Sequence, residues 1–593
     1  MYSNTTPSLN FQVKLYETTG VIEFIYGVMN KGNFTFSYSV GINAATLSNT
    51  ATAAQLKMQQ TENSNTFSNT EKNNLSAMPA TNSRITWTPP SPTGTLNTNI
   101  SFSSVSASGM TLSWNNWCSN EVGYAIYYST NNTDFSFLVQ KAASTTTISH
   151  AATGLNPATT YYWRVYAVTD GAMSGAASGS MVTGNPGART SKATGNWNTN
   201  STWTANIKPV ATDNTTITSG NTVTLNTTTA CNDLTINGNL VLGNASSGST
   251  TLTVNGNLVI NSGASISVSS TSATHNLVVY GNIINNGSVN LAPSGTKVCN
   301  VTFLKDGNAS ISGTGATNTY NLITLNMGTS ADNILEMTAT NFSAANDFLT
   351  LTNGTFKLSG TSAFNLTPYT GLASIPLSAG FIMNNANATA NFNGGIFLSG
   401  NLTNNKGTLN IGNAADRNIE SNGGNVLISG GTTRVAGRYF STNPNILSNF
   451  TIEGGSFILP VSGSTSTTVP PFQINAPGSV FNMDGGSIII EREGGNGSQD
   501  LGFEVTAATF YMIDGGTLQI GNANTPASQT MTINSVVPLQ NLAVSSANAT
   551  ALVINNPLTI QVDVNVNSGT LNMNNLDMYV GGNWTDAGTL VPG

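Results

Sequence analysis

Asn237-Gly238-Asn239-Leu240, Asn255-Gly256-Asn257-Leu258 and Tyr280-Gly281-Asn282-Ile283 are three versions of one phrase. They lie in a stretch that opens at Gly195-Asn196-Trp197 and runs to Leu291. Between them come short apolar alternations: Leu240/Leu242, Leu252/Val254, Leu258/Ile260, Ile266/Val268 and Val289/Leu291. Each strand-like piece is four to six residues long and closes on Asn-Gly or Ser-Gly. A second phrase, a Gly, a small residue and then apolar-x-apolar, makes the period measurable. Its Gly falls at Gly263, Gly287, Gly354, Gly407, Gly431, Gly455, Gly486, Gly516 and Gly569, with gaps of 24, 67, 53, 24, 24, 31, 30 and 53 residues. Gaps near 24, and longer ones that hold two or three units with insertions, are the mark of a solenoid.

Strand chemistry says which solenoid. Period-2 alternation, β-branched residues and no sustained 3.6-residue period argue for strands. A unit of this length holds two or three short strands, and such coils stack in parallel roughly 4.8 Å apart. The expectation is an all-β chain whose residues 190–593 form a long right-handed parallel β-helix. Two places before the phrase's Gly stand Asn261, Asn285, Thr352, Asn405, Ser429, Glu453, Asp484, Asp514 and Asn567. Asn and Asp tolerate left-handed turns, and stacked amides bond from coil to coil. Asn261, Asn285, Asn405 and Asn567 are thus expected to form a structural ladder.

Only 7% of the 593 residues are charged, against roughly 25% in ordinary soluble proteins. The net charge of −7 leaves neither a nucleic-acid footprint nor an acidic tail. Low charge also argues against disorder, which needs high net charge and low hydrophobicity. Asn, Thr, Ser and Gly take the place of Lys and Glu, as on extracellular strand-rich surfaces. No apolar run reaches the ~18 residues of a membrane span, so no membrane insertion is expected. Met1 is not followed by a basic and then apolar leader. The chain reads as one cut at both ends, starting inside a domain and stopping just after Gly582-Asn583-Trp584 in mid-repeat.

Ahead of the solenoid, residues 1–86 read as the closing part of a β-sandwich plus a polar segment. Phe11–Tyr16 and Val21–Tyr26 alternate around Thr18-Thr19-Gly20, and Phe34/Phe36/Tyr38/Val40 follows. Three strands alone would expose an apolar face. Residues 87–97, with Pro89, Pro90 and Pro92, read as a linker. Residues 98–184 alternate at Leu112/Trp114, Tyr124/Ile126/Tyr128 and Phe135/Phe137/Val139. They then read Leu155-x-Pro157-x-Thr159-x-Tyr161-x-Trp163-Arg164-Val165-x-Ala167. This pattern is similar to the fibronectin type III signature. The resemblance implies a sandwich with Trp114 on an early strand and Tyr161 as the corner tyrosine, its hydroxyl bonded back to the preceding turn. No Arg-Gly-Asp tripeptide is present.

From about residue 188 the order is Gly-Asn-Trp-Asn, a second Trp, Pro209, Asp213, Val223-Thr224-Leu225, Cys231 and Leu234-Thr235-Ile236. With the Gly-Asn-Leu repeats, it resembles the repeat regions of secreted, adhesin-like surface proteins of Bacteroidetes. Such proteins often leave by type IX secretion and carry a C-terminal sorting domain, which is not visible in this sequence. The resemblance implies an extracellular or outer-surface location.

Chemistry-bearing residues are sparse. His150 and His275 fall in different domains and suggest no dyad. Cys118, Cys231 and Cys299 lack metal-ligand spacing. Cys231 and Cys299 lie about three coils apart, roughly 14 Å along the axis. A disulfide needs Cα atoms within about 7 Å, so all three are expected as free thiols. Parallel β-helices include polysaccharide lyases and hydrolases, which cluster carboxylates with Arg or Lys on one face. Two patches imitate that arrangement. One is Asp416-Arg417 and Glu420 with Arg434 and Arg438; the other is Glu491-Arg492-Glu493 with Asp500 and Glu504. The simpler reading of each is a solvated turn with local ion pairs. Glu453, Asp484 and Asp514, each followed by Gly-Gly, would stack three carboxylates and could recruit Ca²⁺, or stand as solvated turn formers. Trp197 and Trp203 could stack on sugar rings, or cover the open core of the first coil.

The reading expected from these residues is a monomeric, non-enzymatic structural and adhesive protein that needs no cofactor. Its rod of about 16 coils would present Asn/Thr faces to glycans or other surfaces. Two alternatives are a polysaccharide lyase or hydrolase on the same rod and an array of carbohydrate-binding modules.

Overall fold

The structure is a computed structural model. It describes residues 8–592 except 18, 33, 34, 36, 44–55, 62, 69, 71, 98, 244–247, 270–272, 442 and 496–501. The chain is all-β and divides into two compact units, residues 1–186 and 187–593.

In the first unit, Ser8–Leu15 pairs antiparallel with Ile22–Asn30, and Arg84–Trp87 adds to the far side of the latter. A second small sheet joins Gly41–Asn43, Leu56–Gln59 and Phe67–Ser68. The expected third alternation is described only at Tyr38 and Val40, because Phe34 and Phe36 lie outside the described residues, as does Thr18 of the first turn. Tyr38 bridges Leu75, and Tyr26, Val40 and Ile85 form a small core. The edge strand carries Leu9, Phe11, Val13 and Leu15 on alternate positions, all exposed.

Seven antiparallel strands between Ser101 and Val182 make the fibronectin type III sandwich. Ser136–Ala142, Gly123–Ser129, Thr160–Val168 and Ala177–Val182 form one sheet, in that order. Thr147–Thr153, Gly109–Asn115 and Ser101–Ser106 form the other. Period-2 alternation turns Tyr161, Trp163, Val165 and Ala167 inward against Leu112, Trp114 and Ile126. Trp114 is buried, and the Tyr161 hydroxyl accepts the Asn156 N–H at 3.0 Å.

The second unit is a parallel β-solenoid of about 16 turns. Each turn has three faces. Ala188–Thr190 and Gly195–Asn196 begin the first and second; Asn214–Ile217, Thr222–Leu225 and Thr229–Cys231 then occupy the first, second and third, and Leu234–Ile236, Asn239–Leu242 and Thr251–Val254 repeat them one coil on. Register holds position by position. On the first face Ile217, Ile236 and Ile260 stack; on the second, Val223, Leu240 and Ile266; on the third, Cys231, Val254, Val279 and Phe303. Alternation sends one residue in two inward, so these columns merge into one continuous core. Further along, the core becomes aromatic: Tyr439, Phe472 and Phe503 follow one another with ring centroids 5.3 and 5.1 Å apart.

The repeating Gly has a geometric cause. Gly486 closes the corner between the first and second faces at φ 68°, and a Cβ there would lie 2.7 Å from the Gly454 carbonyl carbon of the coil below. Not every strand is short. Ala379–Phe392 runs 14 residues and Asn401–Ile411 runs 11, because each continues from the first face to the second through a corner where the register shifts. At one of them the buried Asn385 donates to Ser362 O at 2.8 Å and accepts the Asn387 N–H at 2.9 Å.

Asn285 is the same kind of residue, which corrects its place in the expected ladder. It is fully buried, donates to Thr317 O at 2.8 Å and accepts the Gly287 N–H at 3.0 Å. Its amide bonds backbone groups, Gly287 in its own corner and Thr317 one coil on, rather than a stacked side chain. Asn261, in contrast, donates to Asn237 Oδ1 at 2.6 Å, Asn405 accepts the Ser429 hydroxyl at 2.6 Å, and Asn567 donates to Ser545 Oγ at 3.2 Å.

Two outcomes follow from this packing. Phe472→Ala removes a ring from the middle of the aromatic core and is expected to cost about 3–5 kcal/mol, read as a lower urea midpoint. The second concerns His275, which is fully buried. Its Nδ1 accepts the Thr250 N–H at 3.1 Å, so the neutral ring carries its proton on Nε2. Burial holds its pKa below the ordinary 6.5. The unfolded chain therefore binds the proton first, and stability present above pH 6.5 is lost as pH falls toward the depressed folded value. Asp416 and Glu336 are shifted down from 3.8 and 4.5, so their contribution survives at pH 5. Melting of the parent is expected to drop between pH 7.5 and 5, and His275→Gln to remove part of that drop.

Candidate functional site

The two charged patches meet. Arg434 lies on the second face, and its guanidinium reaches Glu491 Oε2 at 3.4 Å, two coils on. Arg492 approaches the other oxygen at 3.7 Å, and Asn522 Nδ2 donates at 2.9 Å. The Glu491 side chain is only 2% exposed. A carboxylate this deep needs all of these partners, because removing one leaves an uncompensated buried charge. Arg438 pairs with Asp416 at 3.6 Å and lies over the Phe440 ring at 4.8 Å. Asp416 also accepts the Ser464 hydroxyl at 3.1 Å and the Thr465 N–H at 3.0 Å. Burial pushes its pKa up, but the bonds from Thr465 and Ser464 and the charge of Arg438 outweigh it and hold the carboxyl below its ordinary range. Glu493 accepts the Thr530 N–H at 2.8 Å, and Glu504 accepts Gln473 Nε2 at 3.2 Å. Arg417 is exposed, and Glu420 stacks in register between Phe397 and Phe440 on the third face. Asp500 lies outside the described residues. These partners tie the corner loops together, and Asp416, held below its ordinary range, is a poor proton donor.

Glu453, Asp484 and Asp514 do stack on successive coils. The flanking Ile452, Met483 and Ile513 are in register, and a Cβ on Gly485 or Gly515 would lie 2.3 Å from the carbonyl oxygen of Glu453 or Asp484. All three acids are exposed. Among the described residues no group of three His, Cys, Asp or Glu has the arrangement of a metal site.

Trp197 and Trp203 are fully buried, edge to face with centroids 5.0 Å apart, and the Trp203 indole donates to Trp197 O at 2.8 Å. A buried ring has no face to offer a sugar, so the ligand-stacking reading of this pair is corrected. Both belong to the solenoid core at its first coil. Cys118, Cys231 and Cys299 are free and buried; burial pushes the Cys231 thiol up to about 12 and Cys299 up as well. His150 is part-buried on the fibronectin sheet, its pKa lowered by burial and by Lys141.

An outer feature of the first face escaped the sequence reading. Asn401, Asn425 and Asn449 stack in register, with Nδ2 to Oδ1 bonds of 2.8 and 3.0 Å. Beside this ladder runs a groove of about 340 Å³, lined by Ile334, Thr355, Ile382, Asn401, Thr403, Asn425 and Leu427 among others. The signal was available: the three Asn recur at 24-residue intervals, each opening an apolar strand.

Comparison with known proteins divides the chain in the same sense. Residues 1–89 match a family model described as NIDO related, and residues 90–180 match the fibronectin type III domain. The chain is therefore a NIDO-related region, a fibronectin type III domain and a β-solenoid. No curated protein matches it. Among solved structures, the FN1–FN3 domains of chicken CNTN1 are 13% identical, over 31% of this chain and 68% of that one, with a TM-score of 0.18. Pectate lyase Pel3 from Pectobacterium carotovorum is 14% identical over 60% of this chain and 85% of its own, with a TM-score of 0.13. A family 28 exopolygalacturonase of Yersinia enterocolitica is 10% identical over 85% of this chain and 99% of its own, with a TM-score of 0.14. None of these likenesses assigns an activity.

For the acidic column, solvent screening makes neighbouring repulsion roughly 1 kcal/mol, small enough to need no ion. The melting temperature is expected to be the same with and without chelator, for the parent and for Asp484→Asn alike. A sharp drop in chelator confined to the parent would show a metal holding the column.

Proposed function

We propose that this chain is a structural and adhesive protein of the extracellular space or outer cell surface, whose solenoid presents polar faces to glycans or other surfaces. The observation that carries this reading is the exposed, uncharged amide ladder Asn401–Asn425–Asn449 beside an open groove. The fibronectin type III domain supports the location, since such domains are typical of extracellular proteins. Among the described residues no helix is long and apolar enough to cross a membrane. The resemblance to Bacteroidetes adhesin-like repeats favours display on a bacterial surface after type IX secretion.

The reading is tested by attachment of the fluorescently labelled chain to glycan-coated and cell surfaces, before and after periodate cleavage of vicinal diols. Attachment that disappears with periodate is expected; attachment indifferent to it overturns the glycan part of the reading. The rival class, a polysaccharide-degrading enzyme, is tested separately on a panel of neutral and acidic polysaccharides. Neither new reducing ends nor unsaturated products are expected. Either one, abolished by Glu491→Gln with folding retained, would replace adhesion by catalysis.

A further inference from the structure

Two outward columns of the first face shape the groove. In one, Thr355, Gly380, Asn401, Asn425 and Asn449 follow each other in register. In the other, Lys357 is followed by Ile382, Thr403 and Leu427. Gly380 interrupts the first column with a notch whose base is the Thr355 hydroxyl, since a Cβ on Gly380 would lie 2.6 Å from that oxygen. The groove crosses the strands and so follows the solenoid axis over five coils, from Ile334 to Leu427. Four steps at the strand spacing make it roughly 19 Å long.

Two adjacent coils of this groove carry an amide, Asn401 and Asn425. Asn425 spends one N–H on Asn401 and one carbonyl lone pair on Asn449. An amide has two N–H donors and two lone pairs, so one of each remains for solvent or a ligand. Ile382 and Leu427, with Thr403 between them, offer two aliphatic patches beside these polar atoms. Charge is nearly absent. Lys357 is held by Glu336 at 2.9 Å, and among the described residues Asp332 is the one acid in the lining. Among the described residues that line it, a polyanion would find no free cation and would meet a carboxylate.

A ligand that matches has an apolar flank and paired hydroxyls, repeats at close to one strand spacing, and carries no charge. We propose that this groove binds a neutral, linear polysaccharide in extended conformation, laid along the solenoid axis with about one sugar ring per coil. The proposal rests on the glycan-display reading above and gives it a ligand class and a location.

The test is calorimetric titration of the full chain with cellohexaose, xylohexaose and mannohexaose, with hexagalacturonate as the charged comparison. At least one neutral hexaose is expected to bind and hexagalacturonate to fail. The double variant Ile382→Glu/Leu427→Glu, both on the outward side, is expected to weaken binding at least tenfold at an unchanged melting temperature. If that variant unfolds, Asn425→Ala takes its place and is expected to weaken binding several-fold. Absence of binding by all three neutral hexaoses, equal binding of hexagalacturonate, or undiminished binding in a folded variant overturns the proposal. Periodate-sensitive attachment that persists in the folded variant would sink the groove while leaving the display reading standing.

Discussion

Register between coils is the constraint on which this structure depends. Along most of the solenoid each rung hydrogen-bonds to the next through its backbone, so a residue at a given place in one coil sits over its counterpart. Whatever the chain puts at a position, it puts there as a column. Aliphatic columns become the core, Asn columns become bonded ladders, and Gly columns become the corners where a side chain would strike the carbonyl below. The same rule explains the scarcity of charge. A charged residue carried through the repeat would face its own sign one rung away, at a cost near 1 kcal/mol per contact even in water. Glu453, Asp484 and Asp514 keep such a column only where it faces solvent.

How much of this was legible follows from how local each feature is. The Gly period and the apolar alternations were readable because corner geometry and strand pleat act on one or two residues at a time. The fibronectin pattern around Tyr161 and Trp163 was readable for the same reason. Asn285 was misassigned because its neighbours in sequence match those of Asn261, and only the position of Thr317 one coil away turns its amide inward. Trp197 and Trp203 were ambiguous because an indole suits a cap or a sugar platform equally, and burial decides. The Arg434–Glu491 pair was out of reach. Insertions of unequal length between Leu459 and Phe472, and again after Ile490, remove the fixed spacing that would have shown these residues meeting.

The fibronectin sandwich and the solenoid handle their polar groups differently. In the fibronectin sandwich, buried hydroxyls close loops: Tyr161 accepts the Asn156 N–H, Thr183 donates to Asn156 O and Tyr124 donates to Asn116 Oδ1. In the solenoid, polar side chains enter the interior at corners, as Asn285, Asn385 and Asn404 do, and each finds a backbone or hydroxyl partner. This is the cost of a closed coil: the chain must turn repeatedly next to its own core, and every turn leaves backbone groups that require a partner.

The contacts of Asp416 and Arg434 also bear on cooperativity. A stack in which each coil touches only its neighbours behaves as a one-dimensional chain and can open from an end, one coil after another. Here Asp416 N bonds Gly463 O two coils on, with Ser464 and Thr465 closing on its carboxylate, and Arg434 spans the same interval to Glu491. These links overlap, so the four coils from the strand ending at Ile411 to the strand ending at Ile490 share bonds that skip a level. None of the four can detach without breaking a tie to a coil beyond its neighbour. The solenoid thus contains a clamped block, and fraying that starts at either end should stall at its border.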